Sequence, residues 1–231
     1  MPRVVKDAEV RRNEILDVAQ RFFFVKGYDE TSIQEIIDAV GIAKGTFYHH
    51  FKSKQDLLDQ VIDRMFVQVL VPLQRMVDEG SESAVEKLQR LYLDIGIWKV
   101  ENKEFFYDLV EAFHRDENLT LRYTARSEAT KRVAPLLTKI VKQGIEEGIF
   151  DTEYPDDIAG VILNLGTDLS HQTGELLLQV GEKPGAPGEI ERLLSLAESS
   201  IERLLGTSKG TLTLFDKKLV REFCDLAVRR S

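Results

Sequence analysis

Lysine, threonine, tyrosine and histidine side chains crowd into a short segment, residues 43–54. Such side chains carry positive charge, donate hydrogen bonds or offer aromatic faces, which are the means by which proteins contact nucleic acids. No Asp or Glu occurs between Ala39 and Gln55, although the whole chain has a net charge of −8. The local field is therefore positive, and a polyphosphate such as DNA is the natural partner of this segment.

Two short helices joined at a glycine are predicted to hold these side chains. Apolar residues of the first helix recur at helical spacing: Ile33, Ile36, Ile37 and Val40. Thr31 or Ser32 can cap its first free amides, and Gly41 lies where the chain must turn sharply. The second helix buries Phe47 and Phe51, which are four residues apart and share a face. The pattern is typical of a DNA-binding helix-turn-helix.

The runs GIAKGTFYHHFKSKQDLL and RRNEILDVAQRFFFVKGYDETSIQEIIDAVG resemble the TetR (tetracycline-repressor-like) family of transcriptional regulators. The resemblance covers about the first quarter of the chain, and the remainder is similar to the family only in length, helical pattern and layout. It implies an all-α fold. A three-helix DNA-binding domain is expected over residues 1–54, and a helical domain for effector binding and dimerisation over residues 55–231.

The resemblance also implies which residues face double-stranded DNA: Thr31, Lys44, Gly45, Thr46, Tyr48, His49, His50, Lys52 and Lys54. Lys44 is best placed to reach base edges, Gly45 permits close backbone approach, and Thr46 and Tyr48 can donate to phosphates. The alternative is a solvated polar helix face without a partner.

Positive charge on both sides of the helix-turn-helix is expected to contact the DNA backbone. Lys52 and Lys54 should act mainly on phosphates, and Lys54 lies in the first turn of the next helix, whose amides favour an anion. Arg3 or Arg11 could form a basic arm that enters the minor groove, as the family resemblance suggests. The alternative for the arm is a polar terminus without a role.

Only helices are predicted along the whole chain. A first helix over residues 9–26 should end at Gly27, and a long connecting helix beginning near Lys54 contains Pro72, which can kink it. Further helices are expected near residues 83–100, 103–115, 121–147, 156–180, 189–205 and 216–229. The segment 181–189, GEKPGAPGE, is the clearest loop.

Two of the later helices have apolar faces that look too extensive for a lone monomer. One carries Ile158, Ile162, Leu165 and Leu169; the other carries Ile190, Leu193, Leu194, Ala197, Ile201, Leu204 and Leu205. Pairs of such helices can close a four-helix bundle across a two-fold axis, and the family resemblance implies this arrangement. A homodimer is therefore expected.

Candidate ligand-pocket residues lie in the middle and later helices: Trp98, Phe106, Phe113, His114, Tyr123, Asn164, Asp168 and His171. Packing alone can explain most of the aromatic residues. Asn164, Asp168 and His171 are spaced by four and three residues and share one face, where they could orient a ligand, stabilise a dimer or meet solvent. The effector itself is an unknown small molecule.

An enzyme built on the helical domain is the first alternative function. The sequence contains no nucleophile motif, no zinc-protease pair, no cysteine cluster and no glycine-rich cofactor loop. We therefore predict no catalytic residue, no metal and no cofactor. A metal site formed by His114, His171 and either Asp168 or Glu111 has suitable ligand types but requires separate helices to converge.

The cysteine content, the apolar runs and the distribution of charge indicate where the protein acts and on what. The single cysteine and the absence of signal-like or membrane-length apolar runs predict a cytoplasmic protein with no membrane partner. Residues 1–54 contain nine Lys or Arg against eight Asp or Glu, a net of +1, which leaves −9 for the rest of the chain.

We expect a repressor that a small molecule releases from a near-palindromic operator. The second alternative is a constitutive DNA-binding protein without an effector.

Overall fold

The computed structural model describes residues 8–228, which form helices and connecting loops with no strand among them. The helices are α1 Ala8–Val25, α2 Ile33–Val40, α3 Lys44–His50, α4 Lys54–Glu79, α5 Ala84–Glu101, α6 Lys103–His114, α7 Leu119–Glu146, α8 Ile158–Leu178, α9 Ala186–Leu204 and α10 Lys217–Val228. One turn of 3-10 helix, Asp116–Asn118, precedes α7. The all-α prediction is confirmed.

The chain divides into two compact units. The first contains residues 8–67 together with Glu111–Ala125, and the second contains Gln68–Val110 and residues 126–228. Helices α4, α6 and α7 each begin in one unit and end in the other. The division at residue 54 into a DNA-binding domain, called the reading head below, and a regulatory domain remains a prediction.

A buried core holds the first unit together. Most of its fully buried large side chains lie in α1 to α4 or directly after α3: Ile15, Leu16, Phe23, Ile36, Phe47, Phe51, Leu57, Leu58 and Ile62. Leu121 of α7 is fully buried in the same unit. Helix α1 packs on α2, and α2 packs on α3. Burial of these faces is the main force that fixes α3, because seven residues are too few for a helix to be stable alone.

Gly41 makes the turn between α2 and α3. It has a left-handed backbone, with φ of 71° and ψ of 42°, and its amide donates to the carbonyls of Ile37 and Asp38. An L-residue with a side chain would be strained there. The predicted glycine turn is confirmed.

Ser32, rather than Thr31, caps the start of α2. Its hydroxyl accepts the amide of Glu35 at 3.2 Å, and the Glu35 carboxylate accepts the amide of Ser32 at 2.8 Å. The ammonium of Lys26 also contacts this carboxylate. Hydrogen bonds from Lys26 and then from Ser32 lower the pKa of Glu35 to about 2. This reciprocal pair fixes where α2 begins.

The dependence of the free energy of unfolding on acid pH should reveal the contribution of this cap. The folded pKa of Glu35 lies below the ordinary value of 4.5, so its stabilising effect is fully present above that pH and is lost as the pH falls towards 2. Glu35→Gln is therefore expected to make the free energy of unfolding less dependent on pH in that window. Urea denaturation at a series of pH values measures it, with the exposed Glu30→Gln as control. Equal slopes for Glu35→Gln and wild type would contradict this assignment.

The second unit is a helical body with its own core. That core is built around Leu88, Leu137, Ile140, Ile162 and Ile201. Helix α8 packs along α9, and α10 packs on α5, α8 and α9.

One loop prediction in the body is wrong. The predicted loop 181–189 is shorter than expected, because α9 begins at Ala186 with proline in its first turn. A helix tolerates proline there, since the first amides have no intrahelical acceptor.

Candidate nucleic-acid interface

Helix α3 presents a polar face because two phenylalanines anchor its other side. Phe47 and Phe51 are fully buried, with ring centroids 5.7 Å apart. Lys44, Gly45, Tyr48 and His49 are exposed, while Thr46 and His50 are partly buried. Their arrangement matches the prediction from the spacing of the phenylalanines, whereas DNA contact itself remains a prediction.

Lys44 and Tyr48 lie side by side on this face. Tyr48 is 46% exposed, and the Lys44 ammonium lies 6.0 Å from the centroid of its ring. The edge-to-face contact of Tyr48 with Phe47, at 5.4 Å, ties the exposed ring to the core. A cation and a hydroxyl are thus displayed together on a rigid support, which suits recognition of a base edge and a neighbouring phosphate.

The two histidines occupy different environments. Their ring centroids are 5.2 Å apart, but His49 is exposed and His50 is partly buried. Burial, followed by the charges of His49, Arg12 and Arg11, lowers the pKa of His50. At neutral pH His50 therefore offers a neutral ring to a ligand.

Lys54 is less available than the sequence suggests. Its ammonium lies 4.2 Å from the ring centroid of Tyr28 and donates to the carbonyl of Asp29 at 3.2 Å. At the same helix start, the Asp56 carboxylate accepts the amide of Lys52 at 2.7 Å. The first turn of α4 is thus partly satisfied by the chain itself, whereas the Lys52 side chain is exposed.

Thr31 requires a correction. Its side chain is fully buried, and its hydroxyl donates to the carbonyl of Gly27 at 2.7 Å. The side chain consequently has no exposed surface for DNA. It supports the α1–α2 corner instead, because a buried hydroxyl needs an internal partner.

Of the two arginines predicted to form a basic arm, the structure describes one. Arg3 lies outside the described residues. Arg11 lies on α1 and pairs with Glu14, three residues later, at 2.8 Å. Any DNA contact by Arg11 must therefore compete with this ion pair.

Asn118 is a key residue of the first unit that the sequence did not reveal. It is fully buried, and its side-chain oxygen accepts the amide of Tyr28 at 2.7 Å. Its side-chain nitrogen donates to the carbonyls of Phe23 and Ala112, at 2.9 and 3.0 Å. One asparagine thus joins the end of α1 to the segment between α6 and α7.

Gly27 allows this close packing. Its φ is 102°, and a side chain there would begin 2.5 Å from the Cβ atom of Glu117. The Arg115 guanidinium also donates to the carbonyl of Val25 at 2.8 Å. The α1–α2 corner and residues 115–118 are therefore fitted to each other through backbone groups, which a sequence pattern does not disclose.

The candidate pocket residues divide between the two units. Phe113, His114 and Tyr123 belong to the first, and Tyr123 is 74% exposed. Trp98 and Phe106 belong to the second, where their rings contact Phe105 and Phe223, at centroid distances of 5.9 and 5.2 Å. Their role in ligand binding remains a prediction.

The polar candidates on α8 are exposed and partly engaged. Arg126 of α7 donates to the side-chain oxygen of Asn164 at 2.9 Å and lies 3.7 Å from the Asp168 carboxylate. His171 is also exposed on this helix. The predicted shared face exists, and Arg126 contacts its Asn164 and Asp168 side chains.

Residues 8–228 contain neither a cluster of metal-ligating side chains nor a helix suited to a membrane. Within this range, no three His, Cys, Asp or Glu side chains converge as a metal site would require. None of the helices described combines the length and apolarity needed to cross a lipid bilayer.

Comparisons with known proteins agree with the helix-turn-helix geometry. The bacterial regulatory proteins of the tetR family match residues 15–61, and the tetracyclin repressor-like C-terminal domain matches residues 124–172. A rigid helix-turn-helix with a polar outer face, carried by an all-helical body, defines a DNA-binding transcription regulator. The chain belongs to the TetR family, whose members are regulators rather than enzymes.

Individual relatives extend this likeness over most of the chain. It is 29% identical over 162 residues to the HTH-type transcriptional repressor KstR2 of Mycobacterium tuberculosis H37Rv, which covers 68% of this chain and 78% of that protein. A TetR-family regulator structure from Syntrophomonas wolfei aligns with a TM-score of 0.63 at 20% identity, covering 84% and 96% of the two chains. The structure of RolR with resorcinol aligns with a TM-score of 0.53 at 16% identity, covering 96% and 95%. These structural alignments establish the shared fold.

Proposed function

We propose that this protein is a cytoplasmic transcriptional repressor that binds a near-palindromic operator as a homodimer and is released by a small-molecule effector. The observation that carries the proposal is the α3 face, where Lys44 and Tyr48 are exposed on the buried support of Phe47 and Phe51. KstR2 is named a transcriptional repressor, which supports repression rather than activation. The bound resorcinol of RolR supports a small-molecule signal.

Dimerisation would supply the second reading head that operator specificity requires. A single head contacts only a few base pairs, and half-sites are read about one helical turn, or a multiple of it, apart. Helices α8 and α9 pack together, and both keep apolar residues exposed in the single chain: Val161 is 48% and Leu196 is 58% exposed. These side chains support a four-helix interface with a second copy.

The connecting helix suggests how an effector would act. Helix α4 runs without interruption from Lys54, next to the proposed DNA face, to Glu79 in the second unit. A ligand that prefers one packing of the body can change the position of this helix and hence the spacing of the two heads. Coupling of about 1–3 kcal/mol, which is typical of allosteric proteins, suffices for a switch.

The test is selection of genomic DNA fragments by the purified, ligand-free protein, followed by sizing of the complex. We expect enrichment of one short near-palindrome bound by two copies of the chain. Failure to enrich any sequence would contradict the proposal.

The alternative, a constitutive DNA binder, predicts the same enrichment but no release by any metabolite. Metabolites screened for release from the selected fragment therefore separate the two functions. A release compound that weakens binding tenfold reports about 1.4 kcal/mol of coupling.

A further inference from the structure

Lys99 brings a positive charge into an aromatic cluster of the second unit. It lies on α5, and its ammonium is 4.8 Å from the centroid of Phe106 on α6. The Phe106 ring in turn contacts Phe223 on α10, at 5.2 Å. Trp98, the neighbour of Lys99 in the chain, packs edge to face on Phe105. Helices α5, α6 and α10 thus contribute the Lys99 ammonium and the rings of Phe106 and Phe223 to one group of contacts.

The charge of Lys99 is not neutralised within the described part of the chain. No carboxylate or other hydrogen-bond acceptor there pairs with its ammonium; the Phe106 ring is its contact. Other cations of the second unit are paired, as Arg90 is with Glu82, or are exposed, as Lys103 and Lys217 are. Lys99 differs because it is partly buried and unpaired.

This environment is unfavourable for a cation. Burial lowers the pKa of Lys99, because removal from water disfavours the charged form. A ring face attracts a cation only modestly compared with a carboxylate. An anion placed beside the ammonium would relieve this cost, and the rings nearby would pack against an apolar group attached to that anion.

We propose that Lys99 binds the carboxylate of an organic acid effector whose apolar body packs on the rings of Phe106 and Phe223. The inference rests on the proposed function, because it names the chemical class of the effector. Lys99 would also attract an anion locally, although the part of the chain around it is acidic as a whole. The remaining possibility, a Lys99–Phe106 pair that serves packing alone, predicts no preference for an acid.

The single tryptophan of the chain makes the test specific. Trp98 emission is recorded while the full-length protein is titrated with 3-phenylpropanoate and, separately, with the neutral 3-phenylpropanamide. We expect a saturable change of emission with the acid and at least about tenfold weaker binding of the amide, because the amide lacks the charge that pairs with the ammonium.

Three variants assign the preference to one side chain. Lys99→Met keeps a similar length without the charge and should abolish the preference for the acid. Lys99→Arg should keep most of it. Lys103→Met removes an exposed charge four residues away and should leave the preference unchanged.

Several results would overturn the inference: equal binding of acid and amide, an acid preference that survives in Lys99→Met, or no response of Trp98 to either compound. An acid that saturates Trp98 without weakening operator binding would also overturn it, since the site would not be an effector site. The fluorescence titration needs no DNA, and the operator selection needs no ligand. Failure of this inference and failure of the repressor assignment are thus observed separately.

Discussion

Lys44→Ala is expected to weaken binding to the selected operator by about 2–6 kcal/mol per dimer. Loss of one good base contact costs about 1–3 kcal/mol, and a two-headed protein loses that contact twice. The exposed position of Lys44 on α3 supports a direct contact. Titration of the labelled operator measures the loss. Competition with operators altered at one base pair in each half-site should also show relaxed specificity there.

Variants at Tyr48 and at a remote lysine are the comparisons for Lys44→Ala. Tyr48→Phe removes only the hydroxyl and is expected to cost about 0.5–1.5 kcal/mol per head, whereas Tyr48→Ala also removes the ring beside Lys44. Lys209→Ala deletes an equal charge from an exposed loop of the second unit and should bind nearly as wild type does. If Lys44→Ala and Lys209→Ala bind alike, α3 does not read bases through Lys44.

Asn118→Ala should lower the free energy of unfolding by about 2–5 kcal/mol. The substitution leaves the amide of Tyr28 and the carbonyls of Phe23 and Ala112 without these bonds in a buried site. Each buried polar group left without a partner costs about 1–3 kcal/mol, and part of that cost is relieved when water enters. Urea denaturation measures the change.

Thr120→Ala is the matched control for Asn118→Ala. Its hydroxyl donates to the Asp29 carboxylate at 3.1 Å, in the same region but in an exposed bond. Water can replace that bond, so the expected loss is below about 1 kcal/mol. A loss for Asn118→Ala as small as that for Thr120→Ala would show that the asparagine does not hold the corner.

Local sequence signals predicted the helix-turn-helix well because its geometry depends on near neighbours. Phe47 and Phe51 share a face at helical spacing, and Gly41 adopts the left-handed backbone that the turn requires. Local signals were less reliable where proline was concerned: Pro187 suggested a loop but lies in the first turn of α9.

Contacts between distant parts of the chain could not be predicted from the sequence. Nothing near Asn118 indicates that Phe23 and Tyr28, about ninety residues earlier, present backbone groups to it. Thr31 likewise appeared suited to DNA until its burial was known. The spacing of Trp98 and Phe106 marked an aromatic region, but only the structure shows that Lys99 lies against it without a carboxylate in the described part of the chain.

The corner held by Asn118 sets a rule for transplanting this reading head onto another protein. A fragment that stops at Val67 omits Glu111–Ala125, although those residues belong to the same compact unit. Such a graft would uncover the buried backbone of Phe23 and Tyr28, and Gly27 would face a surface shaped for Glu117. A chimaera that keeps the recognition properties of this protein must therefore include the hairpin between α6 and α7, so the exchangeable module is discontinuous in the gene.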